Sequence, residues 1–236
     1  MKQQTIDLLN NQMFKDNLIN KIKAEYIEKV GMIQRTVLLV VGIRATNGKT
    51  NAFDDMFLDI RLSNNNSEIL SIYPGTTDPG TDFLKNPMYP RGCAIVKAGF
   101  YKNVWAYGFH RNDKAHPALK QVGAIRLILD SNRDEILDIK DTSKLEEHKY
   151  FKDGVWTYDY MLGNKLIQRE ICTATAGINN HRANRWSIAK YVGLNSAGCQ
   201  VIQKYEDHEE HMTNVLSYIA KGQNLFSFLL LDEANL

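Results

Sequence analysis

Cysteine and proline are scarce in this sequence, and glycine is not abundant. Among 236 residues there are 3 cysteines, 5 prolines and 15 glycines. A small and odd number of cysteines excludes a disulfide framework as the basis of the fold. The low proline and glycine content excludes a collagen-like chain and argues against long disordered segments. A hydrophobic core is therefore expected, and the role of each thiol becomes the first question.

An excess of charge of one sign is also missing, with 29 Lys and Arg against 27 Asp and Glu, a net charge of +2. Proteins whose main partner is a nucleic acid usually carry a basic excess, so no nucleic-acid partner is expected. The longest apolar run, Val37 to Ile43, is too short to cross a bilayer, so no stable membrane insertion is expected. The first residues lack the apolar core and cleavage site of a Sec signal, which predicts synthesis in the cytoplasm.

The remaining composition is that of a globular protein, with 44% hydrophobic and 24% charged residues. The length suits one large domain, or one domain with a small appendage. An N-terminal helix that ends at Gly31 is predicted from apolar residues four apart: Leu9 and Met13, then Leu18, Ile22 and Tyr26. We therefore expect a helical segment over residues 1–35 and a catalytic domain over residues 36–236.

Short apolar or alternating runs separated by turn residues predict a strand-rich domain. The predicted strands are Thr36–Ile43, Met56–Leu62, Glu68–Tyr73, Cys93–Val96, Val104–Phe109, Ala124–Leu129, Trp156–Leu162, Leu166–Thr173, Ser196–Ile202 and Leu225–Leu231. One late helix is predicted to be capped by Asp207, with Glu210 three residues on, and to end at Gly222. Its expected apolar face is Met212, Val215, Leu216 and Ile219. The predicted class is α+β, dominated by a β-sandwich or barrel.

The segment around Cys199 carries the clearest sign of chemistry. Ser196, Ala197 and Gly198 precede the thiol, and such small residues let a substrate backbone approach and can direct amide N–H groups toward it. His181 lies 18 residues before Cys199. An imidazole can serve a cysteine nucleophile both as base and as the cation beside its thiolate. The pattern predicts Cys199 as nucleophile, His181 as base, and the three small residues as the loop that binds the oxyanion.

His181, Ser196, Gly198 and Cys199 resemble the catalytic motif of the L,D-transpeptidase (YkuD-like) family, cysteine enzymes that act on peptidoglycan. In that family a histidine is followed by Ser-His-Gly-Cys, often at the same spacing. The resemblance implies a YkuD-like β-sandwich or barrel and a Cys–His acyl-enzyme mechanism that needs no cofactor and no metal.

Two positions depart from the family motif. Ala197 stands where the family has its second histidine, and Val201 stands where it often has an arginine. Arg182 is the candidate to replace that charge. The first departure leaves His181 as the only base within the motif. It also keeps open the alternative that the protein is a noncatalytic module associated with the wall or the virion.

Other segments resemble bacteriophage endolysins and related cell-wall hydrolases. They are Gly42-Ile43-Arg44, Phe53-Asp54-Asp55, residues 76–80, Gly108-Phe109-His110 and residues 179–183. This resemblance implies a peptidoglycan-degrading cysteine peptidase that cleaves stem peptides or cross-links during cell lysis. An L,D-transpeptidase that forms cross-links is the alternative. Such an endolysin is made in the host cytoplasm and acts on the cell wall, in the periplasm, after release by a holin-like partner.

Several residues are further candidates for contact with a sugar-peptide substrate. Tyr73, Asp78 and Tyr89 carry suitable side chains near the turn at residues 76–80. His110 follows a predicted strand and is a candidate for substrate contact or for the role of an alternative base. Trp186 lies between His181 and Cys199 and is expected to flank the groove.

The remaining candidates have plain structural interpretations. His208 and His211 are predicted to lie in the solvated first turn of the late helix, with a metal site as the alternative. Cys93 and Cys172 are interpreted as strand thiols packed in the core. A backbone carbonyl, or the side chain of Asn180 or Asn195, is expected to orient the His181 ring.

Overall fold

The structure, a computed structural model, describes residues 7, 9–46 and 48–236. Strands dominate the described residues. In chain order they are β1 (Val37–Arg44), β2 (Asp55–Leu62), β3 (Glu68–Thr76), β4 (Cys93–Val96), β5 (Gly99–Phe109), β6 (Pro117–Gln121), β7 (Ile125–Asp130), β8 (Glu146–Lys152), β9 (Val155–Leu162), β10 (Lys165–Thr173), β11 (Asn180–Arg182), β12 (Gln200–Ile202) and β13 (Leu225–Asp232). The helices are α1 (Gln12–Val30), α2 (Thr81–Lys85) and α3 (Tyr205–Ala220). Single 3-10 turns cover His110–Asn112, Gly193–Asn195 and Glu233–Asn235. The predicted α+β class with β dominant is confirmed.

Two sheets organise these strands. Eight strands close into a barrel in the order β1-β13-β5-β6-β11-β12-β3-β2. A separate five-stranded sheet has the order β4-β7-β10-β9-β8 and is antiparallel throughout. Within the barrel, β1 and β13 are parallel, and so are β11 and β12. The β11–β12 pair matters for function, because it brings the chain around His181 beside the chain around Cys199.

All ten predicted strands are present, β4 with its predicted bounds and the other nine with shifted ends, but β6, β8 and β11 were not predicted. β6 begins with a proline, which is depleted in strands. β8 reads Glu-Glu-His-Lys-Tyr-Phe-Lys and is largely exposed, so it has no apolar alternation to detect. β11 is only 3 residues long. Pairing to neighbouring strands, rather than local pattern, makes these segments extended.

β1 is buried on both faces, which explains its continuous apolar sequence. Leu38 and Val40 belong to one core cluster, which also contains Val215 of α3. Leu39 and Val41 belong to a second cluster, which also contains Ile22 of α1. The two helices therefore cover opposite sides of the same strand.

α1 confirms most of the predicted N-terminal helix. It starts after Asn11, whose side chain accepts a hydrogen bond from the Phe14 N–H, and it ends at Gly31, where φ is +106°. Leu18 and Ile22 are buried as expected, but Met13 is 72% exposed, so its predicted place on the apolar face is wrong. Residues 1–6 and 8 of the predicted segment lie outside the described residues.

α3 begins two residues earlier than its predicted cap. Lys204 occupies the N-cap without a side-chain hydrogen bond, and Asp207 lies inside the first turn, so the predicted capping box is wrong. Gly222 does end the helix, with φ +88° and its N–H bonded to the Ile219 carbonyl. Leu216 is 47% exposed, and histidines take part of the buried face instead. No helix in the described ranges is long and apolar enough to cross a membrane.

Candidate active site around Cys199

The turn before Cys199 is shaped by its serine and its glycine. The Ser196 hydroxyl accepts a hydrogen bond from the Gly198 N–H (3.1 Å) and donates one to the Cys199 carbonyl (2.8 Å). Gly198 has φ +119°, and a Cβ there would lie 2.5 Å from the Ala94 carbonyl oxygen. Only glycine fits this position without moving β4. Ser196 and Gly198 therefore build the turn, and the Gly198 N–H predicted to face substrate is bonded to Ser196.

The segment at residues 76–80, predicted to be a turn, packs against this loop and supports it. The Gly80 N–H donates to the Ser196 carbonyl (2.9 Å), and the Gln200 side chain donates to the Thr77 carbonyl (3.3 Å). A Cβ on Gly80 would lie 2.0 Å from the Gly193 carbonyl oxygen. The two backbones therefore touch, and the position of the Cys199 loop depends on this support.

Two predicted substrate contacts lie inside the protein instead. Asp78 forms a salt bridge with Arg44 (3.0 Å), and its side chain is 14% exposed. Tyr73 is 1% exposed, and its hydroxyl donates to Asp59 (3.2 Å). The prediction of substrate contact is wrong for both, because Tyr73 is buried and the mostly buried Asp78 carboxylate is already paired with the buried Arg44.

Cys199 lines a cavity of about 520 Å³ between the barrel and the second sheet. The lining is mostly apolar and includes Leu127, Leu129, Val155, Ile171, Ile178 and Leu194. The predicted contact Tyr89 also lines it, with the Arg91 guanidinium over its ring (5.1 Å). The thiol is half-buried, and its Sγ lies 3.5 Å from the Gly177 carbonyl oxygen. Both the volume and the apolar lining suit a small organic ligand or a segment of peptide.

The histidine that shares this cavity is His110, whereas His181 is not among the lining residues. His181 is 2% exposed, and its ring stacks on that of His110 with centroids 3.8 Å apart. Its Nδ1 donates to the Arg182 carbonyl (2.7 Å), so neither Asn180 nor Asn195 is needed to orient it. Because a carbonyl oxygen only accepts, the proton sits on Nδ1 and the Nε2 lone pair is free. In the described chain Nε2 has no hydrogen-bond partner.

The ionisation of this pair differs from the sequence-based expectation. Burial raises the pKa of the Cys199 thiol to about 11, although the Asn179 N–H and the Arg111 guanidinium lower it. Burial, with Arg111, Lys120 and Arg182 nearby, lowers the pKa of His110 to about 4. At neutral pH the resting site therefore holds a neutral thiol and a neutral imidazole. A preformed thiolate–imidazolium pair is disfavoured.

Sequence reasoning missed a continuous array of histidines. Starting at the cavity, the ring centroids of His110 and His181 are 3.8 Å apart, and those of His181 and His116 are 5.3 Å apart. His116 lies 6.3 Å from His208, which lies 6.4 Å from His211. The array ends where His211 Nδ1 meets Asp59 (2.8 Å). Five of the six histidines of the chain thus form one cluster.

The placement of His208 and His211 in a solvated helical turn is wrong. They are 0% and 1% exposed and face the barrel. The useful signal was their spacing relative to Met212 and Val215, which puts both histidines on the apolar face of α3. No group of three or more His, Cys, Asp or Glu in the described ranges has a geometry that could hold a metal ion.

Arg182, Trp186 and His116 line a second, more open cavity of about 480 Å³. Trp186 is 85% exposed there, so it flanks this cavity and not the one that contains Cys199. Asn195 lines both cavities, which therefore lie on either side of the loop before Cys199. Ala197 lines the first cavity only.

The other two cysteines lie in strands, as predicted. Cys93 starts β4 and is 2% exposed, and burial raises its pKa to about 12. It also lines the first cavity, which the sequence did not indicate. Cys172 lies in β10 and is half-buried. The structure thus separates Cys199, in a loop beside a cavity, from two strand thiols.

Alkylation of Cys199 by iodoacetamide should be slow at neutral pH. Because only the thiolate reacts and its pKa is about 11, the rate should rise about tenfold per pH unit from pH 7 to 10 without a plateau. Peptide mapping by mass spectrometry locates the label, and Cys199→Ser is the control for reaction at Cys93 and Cys172. Arg111→Gln should slow labelling further. A plateau below pH 9 would contradict this ionisation.

The histidine array should make stability fall in mild acid. Burial, with His211 and His116 nearby, lowers the pKa of His208 well below its usual value, whereas the unfolded chain titrates near ~6.5. Below that pH the unfolded state binds more protons, so the free energy of unfolding falls by up to ~1.4 kcal/mol per pH unit for each such histidine.

Urea denaturation between pH 7 and 4.5 tests this effect. His208→Gln should flatten the pH dependence, while His148→Gln, at an exposed site on β8, should leave it unchanged. The variants are compared with each other because the buried carboxyls Asp55 and Asp78 also affect stability in this pH range. Their pKa values are raised, so their protonation in acid stabilises the fold, the opposite of the effect of the buried histidines. An unchanged slope in His208→Gln would contradict the prediction.

Comparison with known proteins adds no family to these observations. No family model, no curated protein and no solved structure matches the chain. Its function is accordingly inferred from its own residues.

Proposed function

We propose that this protein is a cysteine-dependent hydrolase that cleaves amide bonds in the stem peptides or cross-links of peptidoglycan. The observation that carries the proposal is the shared cavity: the Cys199 thiol and the His110 ring line the same mostly apolar space of about 520 Å³. A nucleophile and a base in one cavity are the minimum that acyl transfer through a covalent intermediate requires.

In the proposed reaction His110 removes the thiol proton as sulfur attacks the carbonyl carbon. The two steps are concerted, because the pKa values of about 11 and about 4 disfavour a free thiolate beside an imidazolium. The Cys199 N–H is the oxyanion donor, since the Gly198 N–H is bonded to Ser196. His110 returns the proton to the leaving amine, which breaks the C–N bond and leaves a thioester. Water, which gives a proton to His110, then attacks the thioester carbonyl; the C–S bond breaks, the acid is released and His110 returns the proton to the Cys199 sulfur.

His181 acts in this proposal as a positioning residue. Its ring stacks on His110 at 3.8 Å, and its own orientation is fixed by the bond to the Arg182 carbonyl. A rigid aromatic plane against His110 limits the rotation of the base and so restricts where its ring can point in the cavity. The two histidines therefore have separable roles.

The choice of peptidoglycan rests on the sequence motif. His181, Ser196, Gly198 and Cys199 keep the spacing of the L,D-transpeptidase (YkuD-like) family, and a β-rich barrel is compatible with a YkuD-like domain. The wider resemblance favours a phage endolysin that is made in the host cytoplasm and reaches the wall with a holin-like partner. An amine in place of water would make the same thioester a cross-linking intermediate, which is the alternative activity. Loss of the base function would leave a noncatalytic wall or virion module.

Digestion of purified peptidoglycan, with mass analysis of the muropeptides, tests the activity. The unmodified protein should generate new free peptide ends, and Cys199→Ala should generate none. His110→Gln should lower kcat/KM by about 10²–10⁴-fold, the usual contribution of a general base. His181→Gln should lower it less than His110→Gln does, by up to about 10²-fold, as expected for misplacement of an intact base.

Matched variants separate these effects from misfolding. Cys172→Ala changes a strand thiol away from the cavity and should retain activity. New dimeric muropeptides without new free ends would favour transpeptidation over hydrolysis. No product from several wall types, or full activity in Cys199→Ala, would overturn the proposal. Complete loss in His181→Gln with retention in His110→Gln would reverse the two histidine roles.

A further inference from the structure

We propose that the second cavity is a binding site for the carboxylate of a peptide, with Arg182 as its principal ligand. The cavity has a volume of about 480 Å³ and contains Arg182, Arg185, His116 and Trp186 in its wall. A guanidinium binds a carboxylate or a phosphate through two parallel hydrogen bonds, and a peptide substrate supplies the first of these. The inference deepens the proposed function by naming a feature of the substrate, and it rests on that function for the role of the bound group.

The first argument is the unpaired charge of Arg182. The residue is only 6% exposed, yet no salt bridge in the described ranges includes it or Arg185. Other arginines of the chain do pair with carboxylates, namely Arg44, Arg61, Arg91, Arg126 and Arg169. Burial of a charge without a counterion is costly. An anion from outside the chain would supply the missing partner.

The second argument is the hydrogen bonding of the guanidinium. Its Nη2 donates to the Ala115 carbonyl (3.0 Å), which fixes the plane of the group. Its Nε is buried and has no partner within the described chain. The ring of Tyr205 lies 5.6 Å from its Cζ and supports it from one side. Arg182 is therefore held in place while part of its donor capacity is unused.

The third argument is the balance of charge in the cavity wall. The lining contains two guanidinium groups, of Arg182 and Arg185, and one carboxyl, that of Asp113. Burial and the adjacent Arg185 lower the pKa of Arg182, whereas Tyr205, Glu209 and Asp113 raise it. His116 is half-buried, and burial with Arg182 nearby lowers its pKa to about 4, so at neutral pH it is an uncharged neighbour. The wall carries a net positive charge that suits one anionic group.

The position of the site connects it with the thiol. Asn195 lines both cavities, and Arg182 directly follows His181, which stacks on His110. A peptide that crosses the loop before Cys199 can place its amide in the first cavity and its free carboxylate in the second. The class of substrate is then a peptide with a free carboxylate close to the scissile bond.

Binding is measured on the 15N-labelled protein at constant ionic strength, through the indole N–H signal of Trp186, assigned with Trp186→Phe. The probes are N-acetyl-alanyl-alanine, its C-terminal amide, and inorganic phosphate. The peptide acid should shift the Trp186 signal in a saturable manner, and the amide should bind about tenfold more weakly or not at all. Equal binding of acid and amide would overturn the proposal, and so would saturable binding of phosphate without binding of the acid.

Four variants complete the test. Arg182→Gln should weaken binding of the peptide acid by about tenfold or more. If Arg182→Gln does not fold, Arg185→Gln, which changes an exposed residue, is the variant expected to weaken binding. Arg133→Gln removes an exposed arginine outside both cavities and should bind normally. Cys172→Ala, a strand variant outside both cavities, should also bind normally. Because the readout is binding and not turnover, the site stands even if the proposed catalysis fails. Normal binding by Arg182→Gln and Arg185→Gln would overturn the assignment.

Discussion

One buried carboxylate, that of Asp55, holds the ends of the strands from which the site is built. Asp55 begins β2 and accepts hydrogen bonds from the Ala45 N–H just after β1 (2.7 Å) and from the Thr77 N–H just after β3 (2.7 Å). Arg44 bonds to the Thr77 hydroxyl (3.0 Å) and to the Val96 carbonyl of β4 (2.8 Å). The network therefore joins three barrel strands to the second sheet. Loss of one partner would leave buried donors unsatisfied, which costs more than a hydrogen bond contributes when formed.

The loop that carries Cys199 depends on this network, although no member of it touches the thiol. The Thr77 carbonyl is hydrogen-bonded to the Gln200 side chain, and the Gly80 N–H to the Ser196 carbonyl. The segment just after β3 therefore holds the Cys199 turn at both of its ends. The cavity lies between the two sheets that Arg44 connects. Substitutions at Arg44 or Asp55 would therefore act on the geometry of the thiol as well as on stability, a coupling expected within one hydrogen-bonded network.

Local sequence patterns predicted the strongly apolar strands and the N-terminal helix, because the secondary structure of those segments follows from the spacing of their buried apolar residues. They could not predict β8, whose exposed Glu and Lys residues are extended only through pairing with β9. The same limit applies to the site. The Cys199 motif was visible because its residues are close in sequence, whereas the contact between His110 and His181 joins the turn after β5 to β11, two strands that β6 separates in the barrel. Asp78 was misjudged because its partner, Arg44, lies 34 residues away.

The position of His110 gives a physical meaning to the departure at Ala197. The resembled motif has a histidine where this chain has Ala197, and Ala197 lines the first cavity. His110 lines the same cavity but comes from the end of β5. In the proposed mechanism, an imidazole absent from the cysteine loop is supplied from a different strand. Catalytic constellations are defined by geometry and not by sequence position, so in that proposal the buried His181, stacked on His110, positions the base and does not itself contact the substrate.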